Sequence, residues 1–141
     1  QLDFDGNGGI KLIRDETKIK KHVDWMKSLP VYIEYPEIKN SEGRHLIVSH
    51  SMVEPAFRVK KDISREQFEA KIMWDREFCN LQSLDGIFNV FGHTPQALKP
   101  SLNSFYACID TGACFKNEQG YGVLTALEYP SMKIYSQKNI D

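Results

Sequence analysis

Apolar residues recur along this chain in two rhythms. Over residues 15–28, Ile19, Val23 and Met26 fall close to helical spacing, and Pro30 ends the pattern. Asp15 or Thr17 is placed to cap that helix at its start. Residues 31–35 alternate instead, which predicts a strand. A second apolar run at 46–49 follows the polar turn Asn40-Ser41-Glu42-Gly43, so the two read as a paired hairpin. Ser64-Arg65-Glu66-Gln67 opens a second helix in capping-box form, with Phe68, Ile72 and Phe78 on its buried face. Further strands are predicted near residues 87–91, 104–109, 121–128 and 132–136. No internal repeat, linker or low-complexity tract interrupts the pattern, and 141 residues make one domain's worth, enough to bury a core.

Two of the apolar runs end in histidine. His50 closes His45-Leu46-Ile47-Val48-Ser49-His50, and His93 follows Ile87-Phe88-Asn89-Val90-Phe91-Gly92. Both runs are short, rich in branched or aromatic residues and bounded by turn formers, so both read as buried strands. A residue just past a strand's carboxyl end sits in the crevice where open α/β sheets bind ligands. Two imidazoles converging there can hold a divalent ion, while a single histidine at a strand end is ordinarily a hydrogen-bonded structural residue.

Composition narrows the classes. The formal net charge of -1 gives no attraction to nucleic acid or to a membrane surface. No apolar run approaches the roughly 20 residues needed to cross a bilayer, and no signal peptide is visible. Cys79, Cys108 and Cys114 are odd in number and lack Cys-x-x-Cys spacing. They read as small buried hydrophobes in a reducing, cytoplasmic compartment rather than as a zinc site. Near the start, Asp3-Phe4-Asp5-Gly6-Asn7-Gly8-Gly9-Ile10 imitates an EF-hand loop, but its twelfth position is Arg14 where calcium needs a bidentate glutamate. A loop rich in Asp, Asn and Gly is the commoner explanation.

The order of motifs resembles the carboxyl-terminal half of the calcineurin-like metallophosphoesterases, in particular the bacterial and phage serine/threonine protein phosphatase branch. The residues that carry the resemblance are Asn7-Gly8-Gly9, Trp25-Met26-Lys27-Ser28-Leu29-Pro30, the strand ending at His50, Trp74-Asp75-Arg76, Gly92-His93-Thr94-Pro95, and Ile109-Asp110-Thr111-Gly112 followed by the Gly-rich Gly120-Tyr121-Gly122 before another strand. Each alone is weak; Gly-His-Thr-Pro with Asp-Thr-Gly downstream is fairly specific, and the order of all of them covers nearly the whole chain.

This resemblance implies an α/β fold: half of an αββα sandwich, with a mixed, mostly antiparallel sheet and two main helices. It implies that His50 and His93 are ligands of one metal in a dinuclear site, and that Arg76 binds the substrate phosphate. The implied cofactors are two divalent ions, manganese foremost, with iron, zinc or nickel as alternatives. The implied chemistry is hydrolysis of phosphate monoesters by a metal-bound hydroxide, on a phosphoprotein or nucleotide substrate. A dinucleotide polyphosphate hydrolase, or a non-catalytic binding or scaffold domain, are the alternatives.

Two departures qualify the resemblance. Where the family shows His-Ala-Gly, this chain has His50-Ser51-Met52, so the loop must do without a conformation that only glycine tolerates. The family's Gly-Asp-x-His-Gly, Gly-Asp-x-x-Asp-Arg-Gly and Gly-Asn-His-Glu signatures do not occur. The chain is therefore expected to be a carboxyl-terminal portion that is inactive by itself, with an exposed apolar face that favours self-association.

Overall fold

The computed structural model describes residues 16–76 and 80–140. The Asn7-Gly8-Gly9 motif, the EF-hand-like loop, Asp15, Phe78 and Cys79 lie outside them. The first unit of the chain, up to Pro30, contributes one described element, helix α1 (Glu16–Ser28), none of whose residues is buried within it. Ile19 and Val23 are its half-buried positions. No helix among the described residues is long and apolar enough to cross a membrane.

The second unit, from Val31 onward, is a mixed α/β assembly. Its elements are β1 (Tyr32–Lys39), β2 (His45–Ser49), α2 (Glu54–Val59), α3 (Arg65–Trp74), β3 (Ile87–Phe91), β4 (Ser101–Leu102), β5 (Tyr106–Cys108), β6 (Val123–Glu128) and β7 (Lys133–Lys138). Five strands form one sheet in the order β1-β2-β3-β5-β4, and β6 pairs with β7 in a second sheet of two strands. The central pairs, β2 with β3 and β3 with β5, are parallel; both edge pairs and the β6–β7 hairpin are antiparallel.

The expected hairpin forms, with Ile33 opposite Val48 and Tyr35 opposite Leu46. Asn40 makes its turn: the side-chain carbonyl accepts from the backbone N–H of Glu42 and of Arg44, both at 3.0 Å, and Gly43 takes the left-handed conformation (φ 76°) that completes the reversal. Register slips between Tyr35 and Lys39, around Pro36, which has no N–H for the ladder.

β3 is buried on both faces, as a central parallel strand should be. One face carries Phe88 and Val90, which pack with Ala107 against Leu127, Tyr129 and Met132 from the β6–β7 hairpin. The other carries Phe91, which packs with Met52 and Cys108. Each such fully buried side chain contributes about 1.5–3 kcal/mol. Tyr32 of β1, Phe57 of α2 and Phe68 of α3 join in an aromatic cluster, with centroids 5.3 Å apart for Tyr32–Phe57 and 5.9 Å for Phe57–Phe68.

The capping box of α3 is present: Ser64 Oγ accepts from Gln67 N while the Gln67 side chain accepts from Ser64 N. The helix ends at Trp74, with Asp75 extended (φ -69°, ψ 130°). Ile72 is its fully buried residue. Helix α2 and strand β4 have no counterpart in the sequence expectation.

Candidate metal centre

Because β2, β3 and β5 run parallel side by side, their carboxyl ends open at one edge of the sheet. His50 follows β2 directly, His93 stands two residues past β3, and Asp110 two residues past β5. The three share an open cleft of about 380 Å³, lined among others by Val48, Val90 and Ile109. The two histidines read from the sequence are thus brought together. His45 is not part of this cluster: it faces Glu34 across the β1–β2 pair, with Nε2 2.7 Å from the carboxylate.

His50 Nε2 lies 2.8 Å from His93 Nδ1, and the rings are 4.6 Å apart at 57°. Two nitrogens bound to one ion at 2.0–2.1 Å stand roughly 2.9 Å apart at a right angle and about 3.4 Å at the tetrahedral angle. The observed separation is therefore close to that of adjacent ligands, and equally fits one N–H donating to the other ring's lone pair. Gly92 N donates to His50 O at 3.0 Å, so the parallel ladder reaches the histidines themselves.

His93 reaches inward because its backbone is left-handed (φ 69°). That conformation costs a non-glycine residue about 1–2 kcal/mol and concentrates at functional sites. Its Nε2 is buried without a hydrogen-bond partner among the described residues. Burial, then the Arg76 charge, then His50, lower the His93 pKa; the Trp74 carbonyl and Asp110 oppose them. The net result keeps the ring neutral, the form that offers a lone pair to a metal.

Trp74 stands edge-to-face against His93 (5.8 Å, 78°), and Arg76 donates a long bond of 3.4 Å to the His93 carbonyl. Arg76 is exposed, so its guanidinium lies at the rim beside the histidines rather than inside the cleft. Asp110 is half-buried, and its Oδ1 accepts from Gly112 N at 2.9 Å, a turn inside Asp-Thr-Gly.

The loop after His50 accommodates Ser51-Met52 without a conformation that only glycine tolerates. Neither residue has a positive φ. Both are buried, at 0% and 1% exposure. Ser51 ties the loop to α3, its N–H and hydroxyl both donating to Ile72 O, at 3.0 and 2.6 Å. Met52 fills the core beside Phe91.

Among the described residues no three His, Cys, Asp or Glu side chains are grouped closely enough to hold an ion. Asp110 shares the cleft without joining the pair. Sequence reading assigned no role to Asp110 or to Asn89, though both gave a signal: an aspartate ends a strand as the histidines do, and an asparagine interrupts Ile-Phe-Asn-Val-Phe.

The class defined by this fold and site is a mixed α/β sheet that presents two histidines and an aspartate at parallel strand ends. Comparison with protein-family models, curated proteins and solved structures finds no match to this chain.

Proposed function

We propose that this chain is the carboxyl-terminal portion of a calcineurin-like metallophosphoesterase that hydrolyses phosphate monoesters, a serine/threonine protein phosphatase before a dinucleotide polyphosphate hydrolase. The observation that carries the reading is the 2.8 Å approach of His50 Nε2 to His93 Nδ1 at the ends of two adjacent parallel strands. In this reading His50 and His93 hold one divalent ion, manganese first among the candidates. The ions of such a site supply Lewis acidity towards phosphoryl oxygens and lower the pKa of bound water.

The chain's own residues bind and orient. The imidazoles offer neutral donors whose direction is fixed by the strand ends and by the left-handed backbone at His93. Arg76, at the rim, presents a planar fork suited to two phosphoryl oxygens. In this reading the remaining ligands belong to the family signatures that this sequence does not contain, and the chain alone is inactive. A cytoplasmic location and self-association through apolar residues such as Ile33 and Val48, each more than a third exposed, belong to the same reading.

A scaffold that has lost its chemistry is the second reading, favoured by the lack of a third described ligand. The two separate in one assay: hydrolysis of p-nitrophenyl phosphate with Mn²⁺ by the protein that contains this chain, beside its His93→Ala variant. Metal-dependent turnover that drops more than about 100-fold in the variant supports the enzyme, since even residues supporting a ligand are worth 10–100-fold. No turnover with Mn, Fe, Zn or Ni leaves the scaffold.

A further inference from the structure

We infer that Asn89 is the positioning residue that sets His50. Asn89 is the middle residue of β3, 6% exposed, among Phe88, Val90 and Phe91. A buried primary amide is costly unless its groups are bonded. Here every strong partner belongs to the segment that carries His50. The Asn89 carbonyl accepts from Val53 N at 2.9 Å. Its amide donates to Ile47 O at 3.2 Å and to Ser49 Oγ at 2.9 Å. The backbone N–H on one side and the carbonyl on the other fix which way round the amide stands.

The chain of bonds goes one step further. Having accepted from Asn89, Ser49 Oγ donates its own proton to Ser51 O at 2.5 Å. One amide therefore holds Ser49 before His50 directly, reaches Ser51 after it through the Ser49 hydroxyl, and closes the loop again at Val53. Regular pairing of β2 with β3 ends at Val48 opposite Val90. Beyond that point the His50 carbonyl accepts a ladder bond from Gly92 N. Without the amide, Ser49 Oγ and Val53 N lose their partner on β3, while Ser51 keeps its bonds to Ile72 O; Ser49 is then free to turn, and with it the backbone that aims the His50 ring at His93. This role rests on the metal reading only where ion affinity is the readout; the ring-to-ring contact is independent of it.

The test uses the full chain, Co²⁺ as the probe ion, and nuclear Overhauser contacts between the His50 and His93 rings. Ser49→Ala breaks the relay while leaving the Asn89 bonds to Val53 and Ile47. Asn89→Asp keeps the acceptor for Val53 and removes both donors. Ser49→Thr keeps the hydroxyl and serves as the rescue. We expect Ser49→Ala and Asn89→Asp to weaken Co²⁺ binding by about 10-fold or more and to lose the ring contacts, with Ser49→Thr close to wild type. Thermal unfolding of Ser49→Ala should stay within a few degrees of the parent. Wild-type affinity and unchanged ring contacts in Ser49→Ala would overturn the inference, and that variant decides if Asn89→Asp fails to fold. Should the unmodified chain bind no Co²⁺, the metal reading falls; positioning is then decided by the ring contacts, whose loss in Ser49→Ala supports it and whose retention overturns it.

Discussion

Gly92 and Asp110 occupy neighbouring strand ends, so close that a methyl group on Gly92 would press on the Asp110 side chain. A Cβ on Gly92 would lie 3.3 Å from Asp110 Cβ and 3.8 Å from its Oδ2, with His50 O at 3.9 Å. The glycine is there for space, not for dihedral freedom, since its φ is not positive. It lets the ends of β2, β3 and β5 close on one cleft.

Gly92→Ala should consequently crowd the site rather than strain the backbone. Overpacking of this kind costs about 1–3 kcal/mol, which in a thermal melt is a drop of several degrees. The Asp110 side chain must retreat by a few tenths of an ångström, whereas the His50 carbonyl, at 3.9 Å, is in ordinary contact. A melt indistinguishable from the parent would mean that the strand ends are looser than described.

The left-handed backbone at His93 makes a second prediction that no metal enters. Replacing His93 by Ala or by Gly removes the ring equally, but only Gly accepts φ near 69° without strain. The strain of about 1–2 kcal/mol exceeds the extra unfolded-state entropy of glycine, about 0.5–1 kcal/mol. His93→Gly should therefore be the more stable of the pair by roughly 1 kcal/mol in urea unfolding. Equal midpoints, or a more stable alanine variant, would show that residue 93 is not left-handed in solution.

What could be read from the sequence followed from local chemistry. The β1–β2 hairpin was legible because alternation and the polar turn Asn40-Ser41-Glu42-Gly43 both specify it, and the α3 start because a capping box is a local motif. His50 and His93 were legible because both stand at the ends of apolar runs. Asp110 met the same rule, but its place beside them depends on β5 pairing with β3, a non-local choice that no periodicity records. Helix α2 is six residues with a proline in its first turn, and β4 is two residues, too short for any pattern to repeat. Of the three apolar residues assigned to the face of α3, Ile72 is fully buried, Phe68 is half-buried, and Phe78 lies outside the described residues. The sign of φ at His93 leaves no trace in a histidine's identity, and the Asn89 network had only an oddity, one amide in an apolar strand, to announce it.

Thiol chemistry gives a third prediction. Burial pushes the Cys108 thiol up to about 11 from an ordinary 9.0, whereas Cys114 is exposed. At pH 8 only roughly one Cys108 in a thousand is then thiolate, the reactive form. Iodoacetamide should label Cys114 well before Cys108 under native conditions, as peptide mass spectrometry would read. The sign for stability follows: the folded state holds this proton more tightly, so the contribution is whole below about pH 9 and is lost as pH climbs through about 11. Early labelling of Cys108 at pH 8 would place it outside the Met52–Phe91 core.

Trp74 offers an optical report on the histidine pair. Its indole is 65% exposed and packs edge-to-face on His93 with ring centroids 5.8 Å apart. An ion held by His50 and His93 stands one imidazole away, so a paramagnetic ion there must quench Trp74 emission, while d¹⁰ zinc at the same nitrogens must not. With Trp25→Phe as background, Co²⁺ should quench the remaining tryptophan along a saturating curve, and Zn²⁺ should restore the emission by displacement. Removing either imidazole halves the described donor set, so His50→Ala and His93→Ala should each shift the midpoint more than about 100-fold. Random collision predicts something else: a line that never saturates and is the same in all three proteins. That second pattern would remove the metal from His50 and His93, and leave their 2.8 Å contact as a structural hydrogen bond between neighbouring strand ends.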